Sequence, residues 1–143
     1  MTFLLDVNVV IALIDASHNF HDNAHQWFSA HRHLRWATCP LTENGVLRIL
    51  GNPGYRNYSG SQLMVIEALS DLCSLPGHEF WPDDISMLDE ERIDLNRLLT
   101  SGQVTDSYLL ALAIAHGGQL ATFDRRLSVG AVHNGASGIH LIQ

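Results

Sequence analysis

The chain contains no lysine: its eight basic residues are all arginine, against fifteen acids, for a formal net charge of −7 over 143 residues. That balance excludes the broad basic face that holds duplex nucleic acid through many phosphate contacts. It leaves room for a nucleic acid held through cations, because a divalent ion loaded by acids inverts the local field and attracts phosphate. Cysteine is sparse, with Cys39 and Cys73 alone and no C-x-x-C spacing, which argues against a disulfide framework or a thiolate zinc site and makes a reducing compartment the default. No apolar run approaches the ~18 residues that a membrane span needs. Residues 3 to 14 imitate the core of a signal peptide, but no basic residue precedes them and Asp6 and Asn8 interrupt them; a cytoplasmic protein with no membrane association is expected. There is no internal repeat, low-complexity tract or interdomain linker, so one domain is expected over residues 1–143. A hydrophobic fraction of 46% and a charged fraction of 16% are those of a packed globular chain rather than a disordered one.

The order of elements follows from periodicity and punctuation. Phe3 to Leu5 reads as a short buried strand and Val7 to Ile14 as a buried helix, with Asp6 in the turn between them. A second helix is expected from Asp22 to Ala30 and a strand from Leu34 to Ala37. Thr38-Cys39-Pro40 is a helix start, proline being favoured in the first turn, and the helix runs to the Gly51-Asn52-Pro53-Gly54 stop with Glu43 in its first turn. Ser61 to Ser74 reads as a helix with Leu63, Ile66, Leu69 and Leu72 on its apolar side, and His78 to Trp81 as a strand closed by Pro82. Ser86 to Leu99 is expected to be helical. Next come Thr105 as N-cap, Asp106 in the first turn, the apolar run Leu109 to Ala115 and Gly117-Gly118 as C-cap. The strand Gln119 to Phe123 ends at Asp124, a short helix covers Arg125 to Gly130, and Ile139 to Ile142 is a last edge strand. Strands alternating with helices imply a mostly parallel sheet with helices on both faces.

In an open parallel sheet, ligands bind beyond the carboxyl ends of the strands, and four acids fall at that edge. Asp6 and Asp124 end strands; Glu43 and Asp106 begin helices. Clustered carboxylates repel and raise one another's pKa, so the group needs compensating charge. Hard oxygen ligands suit Mg²⁺, or Mn²⁺ in its place, and one or two such ions can activate water for in-line cleavage of a phosphodiester. Each acid alone has a plainer reading, as a first-turn residue complementing a helix dipole or as a turn residue. Their shared edge is what joins them. The remaining acids scatter, with the stretch from Asp83 to Asp94 reading as a solvated helix face.

Taken together, LLDVNVVIALI, CPLTENGVLRIL and VTDSYLLALAIAHGGQLATFDRRL resemble the PIN-domain ribonucleases, and closely the VapC toxins of bacterial toxin–antitoxin pairs, from the first strand to about Leu127. The resemblance implies a PIN-like α/β/α sandwich around a short, mostly parallel sheet. It also implies a Mg²⁺- or Mn²⁺-dependent endoribonuclease that hydrolyses RNA through metal-bound water, a cognate VapB-type antitoxin and a homodimer. The family's acids fall on Asp6, Glu43, Asp106 and Asp124 as catalytic and metal-binding residues; Asp6 and Asp106 are the principal ligands, and Glu43 and Asp124 complete the site directly or through water. Asn8 and Thr105 match small polar positions that orient the ligands.

The loop GNPGYRNYSG offers Tyr55 and Arg56 as planes on which single-stranded RNA could stack, with a packed loop or a dimer contact as the alternative. Arg125, like Arg126 and Arg48, is a candidate phosphate contact or an ion-pair partner of the acids. His18, His21 and His25 have a spacing that could bind zinc but read better as solvated positions, and His116 as a helix-terminus residue. Trp27, Trp36 and Trp81 read as core or interface, and nothing suggests a nucleotide cofactor. Two rivals stand beside the nuclease. One is a haloacid-dehalogenase-like phosphatase with Asp6 as nucleophile, weakened by Asn8 in place of a second Asp and by the missing lysine. The other is a non-catalytic PIN-like module that binds RNA or protein.

Overall fold

The computed structural model describes every residue except 32 and 34. Five strands form one wholly parallel sheet in the order β3-β2-β1-β4-β5: β1 Thr2–Leu5, β2 Arg35–Thr38, β3 His78–Phe80, β4 Gln119–Thr122 and β5 Ile139–Leu141. Among the described residues five α-helices connect or flank them: α1 Val7–Ile14, α2 His21–His31, α3 Pro40–Leu50, α4 Gln62–Cys73 and α5 Val104–Ala115. The expected α/β layering is therefore present. Of the strand expected from Leu34, the first position lies outside the described residues.

Side chains alternate across β1, so Phe3 and Leu5 join a core with α1 to α4, while Leu4 packs on the other face with α5 and the segment around Ile93. Full burial of three such side chains contributes about 5–8 kcal/mol, enough to hold a carboxylate at the strand's end out of bulk water. Asp6 is indeed only 6% exposed. Two glycines fix the approach of elements. A Cβ on Gly45 would lie 2.9 Å from Val7 Cγ2, so α3 closes onto the start of α1 only without a side chain there. Gly117, at φ +74°, lets the Gly118 N–H donate back to the Ala113 carbonyl at 2.9 Å and ends α5 where expected.

Several expectations are corrected. Ser86 to Leu99 is not a helix but a chain of turns with one 3₁₀ turn at Leu95–Arg97 and an antiparallel bridge between Ile93 and Val132. The cause is local: Ser86 Oγ accepts from Leu88 N, Asp89 Oδ1 from Glu91 N and Asp94 Oδ1 from Asn96 N, so short polar side chains capture N–H groups that a helix would need. The acidic stretch is accordingly not a helix face. Arg125 to Gly130 fails in the same way, Asp124 Oδ1 taking the Arg126 N–H at 2.9 Å. Thr105 is not an N-cap, because a 3₁₀ turn at Ser101–Gln103, with Gln103 Oε1 accepting from Leu99 N and Thr100 N, leads the chain into α5 two residues earlier. On α4 the buried residues are Val65 and Leu69, while Leu63 and Ile66 face outward.

Candidate active site

Asp6 emerges at the carboxyl end of β1, the strand from which the sheet extends both ways, and caps α1. Its Oδ1 accepts the Val7 N–H at 2.7 Å and its Oδ2 accepts the Thr122 hydroxyl at 2.8 Å. Thr122, fully buried at the end of β4, also accepts from Asp124 N at 3.0 Å and from Asn8 Nδ2 at 3.2 Å. The Asn8 carbonyl oxygen in turn accepts the Phe123 N–H at 3.2 Å. Asn8 and Thr122 thus staple the two strand ends together and fix the direction of Asp6.

Asp106, in the first turn of α5, faces this pair. Burial, then the charges of Asp6 and Asp124, push its carboxyl up to about 6. Asp6 is raised chiefly by burial and further by Asp124, against the opposing hydrogen bonds from Thr122 and Val7. Two carboxylates raised by burial and by the charge of a third beside them are the donor set a hard divalent cation relieves, so the residues present fit Mg²⁺. Gln103 is engaged with the backbone and Ser107 is a wholly buried hydroxyl, so α5 brings no second acid to the group.

Glu43 is held by different partners from those of the three aspartates. Its Oε2 accepts the Thr38 hydroxyl at 2.7 Å, and Thr38 Oγ1 lies 2.7 Å from His78 Nε2. Its charge bears on Cys73 and His78. The structure therefore brings Asp6, Asp106 and Asp124 together and ties Glu43 to the end of β2.

Asn8 Nδ2 also lies 3.5 Å from Asp6 Oδ2. Thr105 is exposed on the second position of α5 and touches none of the acids through a hydrogen bond among the described residues. Tyr55 is half-buried and its hydroxyl donates to Asp15 Oδ2, which also accepts Asn57 Nδ2 at 2.9 Å, so the ring anchors the glycine-flanked loop to the end of α1. Arg56, Arg125 and Arg126 are exposed and form no ion pair among the described residues. The histidine trio binds backbone instead of metal: His21 Nδ1 and His25 Nε2 donate to the last carbonyls of α1, Ala12 at 2.7 Å and Leu13 at 2.9 Å. His116 ends α5, stacks on Trp81 and pairs with Asp84 at 2.9 Å. All three tryptophans are core. Thr122, Thr38 and His78 escape sequence reasoning; the one signal was a hydroxyl as the last residue of β2 and β4 alike.

The PIN-domain family model matches residues 3–132. Ribonuclease VapC44 of Mycobacterium tuberculosis is 42% identical over 141 residues, spanning 99% of this chain and 98% of the relative. Ribonuclease VapC39 of the same organism is 41% identical over 128 residues, 90% and 92% of the two chains. In fold, the chain superposes on M. tuberculosis VapC20, described as a sarcin–ricin-loop-cleaving toxin, with a TM-score of 0.64 at 14% identity over 92% of this chain and 96% of the other. It also superposes on VapBC2 of Rickettsia felis, solved bound to a DNA fragment from its promoter, with a TM-score of 0.59 at 16% identity over 87% and 89%. The chain belongs to the PIN-domain family. Within that family, these close relatives are VapC ribonucleases.

Proposed function

We propose that the protein is the toxin of a VapBC-type pair, an endoribonuclease that uses Mg²⁺, with Mn²⁺ as a substitute, to hydrolyse RNA phosphodiester bonds. The single observation that carries this reading is Asp106 held up to about 6 by burial and by the facing charges of Asp6 and Asp124, in a chain whose relatives are ribonucleases. Asp6, Asp106 and Asp124 would hold the cation, with Glu43 completing the set from α3. The ion, when bound, supplies charge neutralisation at the scissile phosphate and activation of the attacking water. The chain's own part is orientation: Thr122 and Asn8 hold Asp6, and the Arg126 N–H holds Asp124. Exposed Arg125 and Arg126, next to Asp124, and Arg56 on the Tyr55 loop supply phosphate contacts that an acidic chain otherwise lacks.

A VapB-type antitoxin is the expected protein partner, and a homodimer the expected free form. Exposed Leu63, Met64 and Ile66 on α4, the first two more than half exposed, border a hollow of about 320 Å³ lined by Ile14, Leu50, Met64 and Val65. That apolar strip suits the antitoxin's covering segment. Among the described residues no helix is long and apolar enough to cross a membrane. The phosphatase reading gains no support, because Asn8 is occupied in stapling β1 to β4 rather than placed as a second catalytic group.

The test is cleavage of RNA by the purified protein with Mg²⁺ and with a chelator. Asp6→Asn should lower the Mg²⁺-dependent rate at least ~100-fold with an unchanged circular-dichroism spectrum, taking loss of a ligand to be at least as severe as loss of a ligand's orienting partner. Full activity in this variant would sink the assignment of Asp6, and absence of Mg²⁺-dependent cleavage by the parent would leave the non-catalytic module as the better reading.

A further inference from the structure

Glu43, Cys73 and His78 come from the first turn of α3, the last residue of α4 and the first residue of β3, and their ligand atoms all lie within 4.8 Å of one another. We infer that these three residues form a separate site for a zinc-class cation, in which the ion takes Glu43 away from the nuclease centre. The donor chemistry sets it apart from the aspartates. A thiolate and an imidazole select Zn²⁺ and are poor ligands for Mg²⁺, which prefers oxygen and water. With bonds of about 2.0–2.3 Å, tetrahedral ligands sit roughly 3.3–3.8 Å apart, so closing the present triangle takes shifts of about an ångström or less. One carboxylate, one imidazole and one thiolate leave the fourth position to water.

The site is also organised in advance. Thr38, only 1% exposed, has its hydroxyl 2.7 Å from both Glu43 Oε2 and His78 Nε2, and the Cys73 thiol lies near enough to feel the Glu43 charge. Its side chain holds two of the three donors around one point at the end of β2, and Cys73 closes the triangle. His78 is fixed from behind by Trp36, ring centroids 4.7 Å apart. Cys73 and His78 are half-buried, screened yet open to a small ion. On binding, the thiol proton leaves to solvent and the thiolate, the neutral imidazole and the carboxylate each give an electron pair to the ion, with no redox change. The spacing of the two cysteines in sequence gives no hint of this, because the third donor comes from β3 and the carboxylate from α3.

The inhibitory half rests on the reading of Glu43 as a nuclease-site acid; the binding half does not. The full-length protein is titrated with Co²⁺ as a spectroscopic stand-in for Zn²⁺, then with Zn²⁺ to displace it. One equivalent should raise a thiolate-to-cobalt charge-transfer band in the near ultraviolet. The band should vanish in Cys73→Ala, and His78→Ala should bind at least ~10-fold more weakly, the loss expected for removing one strong ligand. Absence of the band in the parent, its persistence in Cys73→Ala, or equal Zn²⁺ affinity in parent and both variants overturns the site and places the ion on surface histidines or the aspartates. In the cleavage assay, Zn²⁺ should suppress Mg²⁺-supported activity of the parent at concentrations at least ~10-fold lower than for Cys73→Ala; equal sensitivity overturns the inhibitory role. Should no RNA be cleaved under any condition, the nuclease reading fails while the cobalt spectrum still decides the site.

Discussion

Asp106→Asn should make the cation-free protein more stable while removing its activity. Moving a carboxyl from its ordinary 3.8 to about 6 corresponds to about 3 kcal/mol of opposition to its ionisation. Asp106 is only half-buried, so solvent screening lowers this to about 1–2 kcal/mol. Its first-turn position on α5 returns about 0.5 kcal/mol through the helix dipole, leaving a net gain of about 1 kcal/mol on neutralisation. The sign follows from proton linkage. A carboxyl with a higher pKa in the fold than in the unfolded chain keeps its proton longer in the fold, so stability falls as pH rises from about 3.8 to about 6 and the penalty is complete above that window. Thermal unfolding in chelator at about pH 7.5 should therefore place Asp106→Asn some 2–4 °C above the parent, and the gap should close by about pH 3.8, where the parent carboxyl is itself protonated. Mg²⁺ should reverse the order, since an ion that binds only the folded parent stabilises it in proportion to the logarithm of its concentration. A variant that unfolds at or below the parent at about pH 7.5 in chelator would refute the electrostatic account of the site.

Thr122→Val keeps the shape of a wholly buried side chain but deletes the hydroxyl that links Asp6, Asp124 and Asn8; a loss of about 1–3 kcal/mol in denaturant unfolding is expected, with a 10–100-fold rise in the Mg²⁺ concentration needed for half-maximal cleavage. An unchanged Mg²⁺ requirement would show that Asp6 needs no such orientation. Asn8→Ala should raise the same requirement, whereas Thr105→Ala, at an exposed position, should leave it within about twofold; the reverse ranking would mean that Thr105, not Asn8, orients the ligands. If Arg56 and Arg125 touch phosphate, alanine at either should lower the salt dependence of RNA binding by about 0.7 in the log–log slope per contact, and identical slopes would remove them from the interface.

What the sequence reveals and what it hides divide along chain separation. β1, α1, α3, α5 and β4 are legible because burial on one or both faces writes itself into consecutive residues, and the acids at their ends stand out against those runs. Asp6 and Asp124 are readable for that reason, and Glu43 and Asp106 because helix starts carry local punctuation. The segment from Ser86 to Leu99 misleads because helix-compatible composition and Asx turns compete over the same residues, and three side-chain acceptors decide the outcome in favour of turns. α4 misleads differently: its apolar residues are numerous enough that spacing alone does not say which stripe faces α1, and the outward one keeps Leu63, Met64 and Ile66. The hydroxyls that hold the acids are hidden most completely. Thr122 meets Asp6 across 116 residues and Thr38 meets His78 across 40, and each threonine taken alone is an ordinary strand residue. Only the parallel pairing of β1 with β4 and of β2 with β3 sets the ends of those strands side by side. A carboxylate can therefore be nominated from its own neighbourhood in sequence, but whether it is aimed depends on a neighbouring strand, and for Glu43 that strand end aims it at His78 and Cys73.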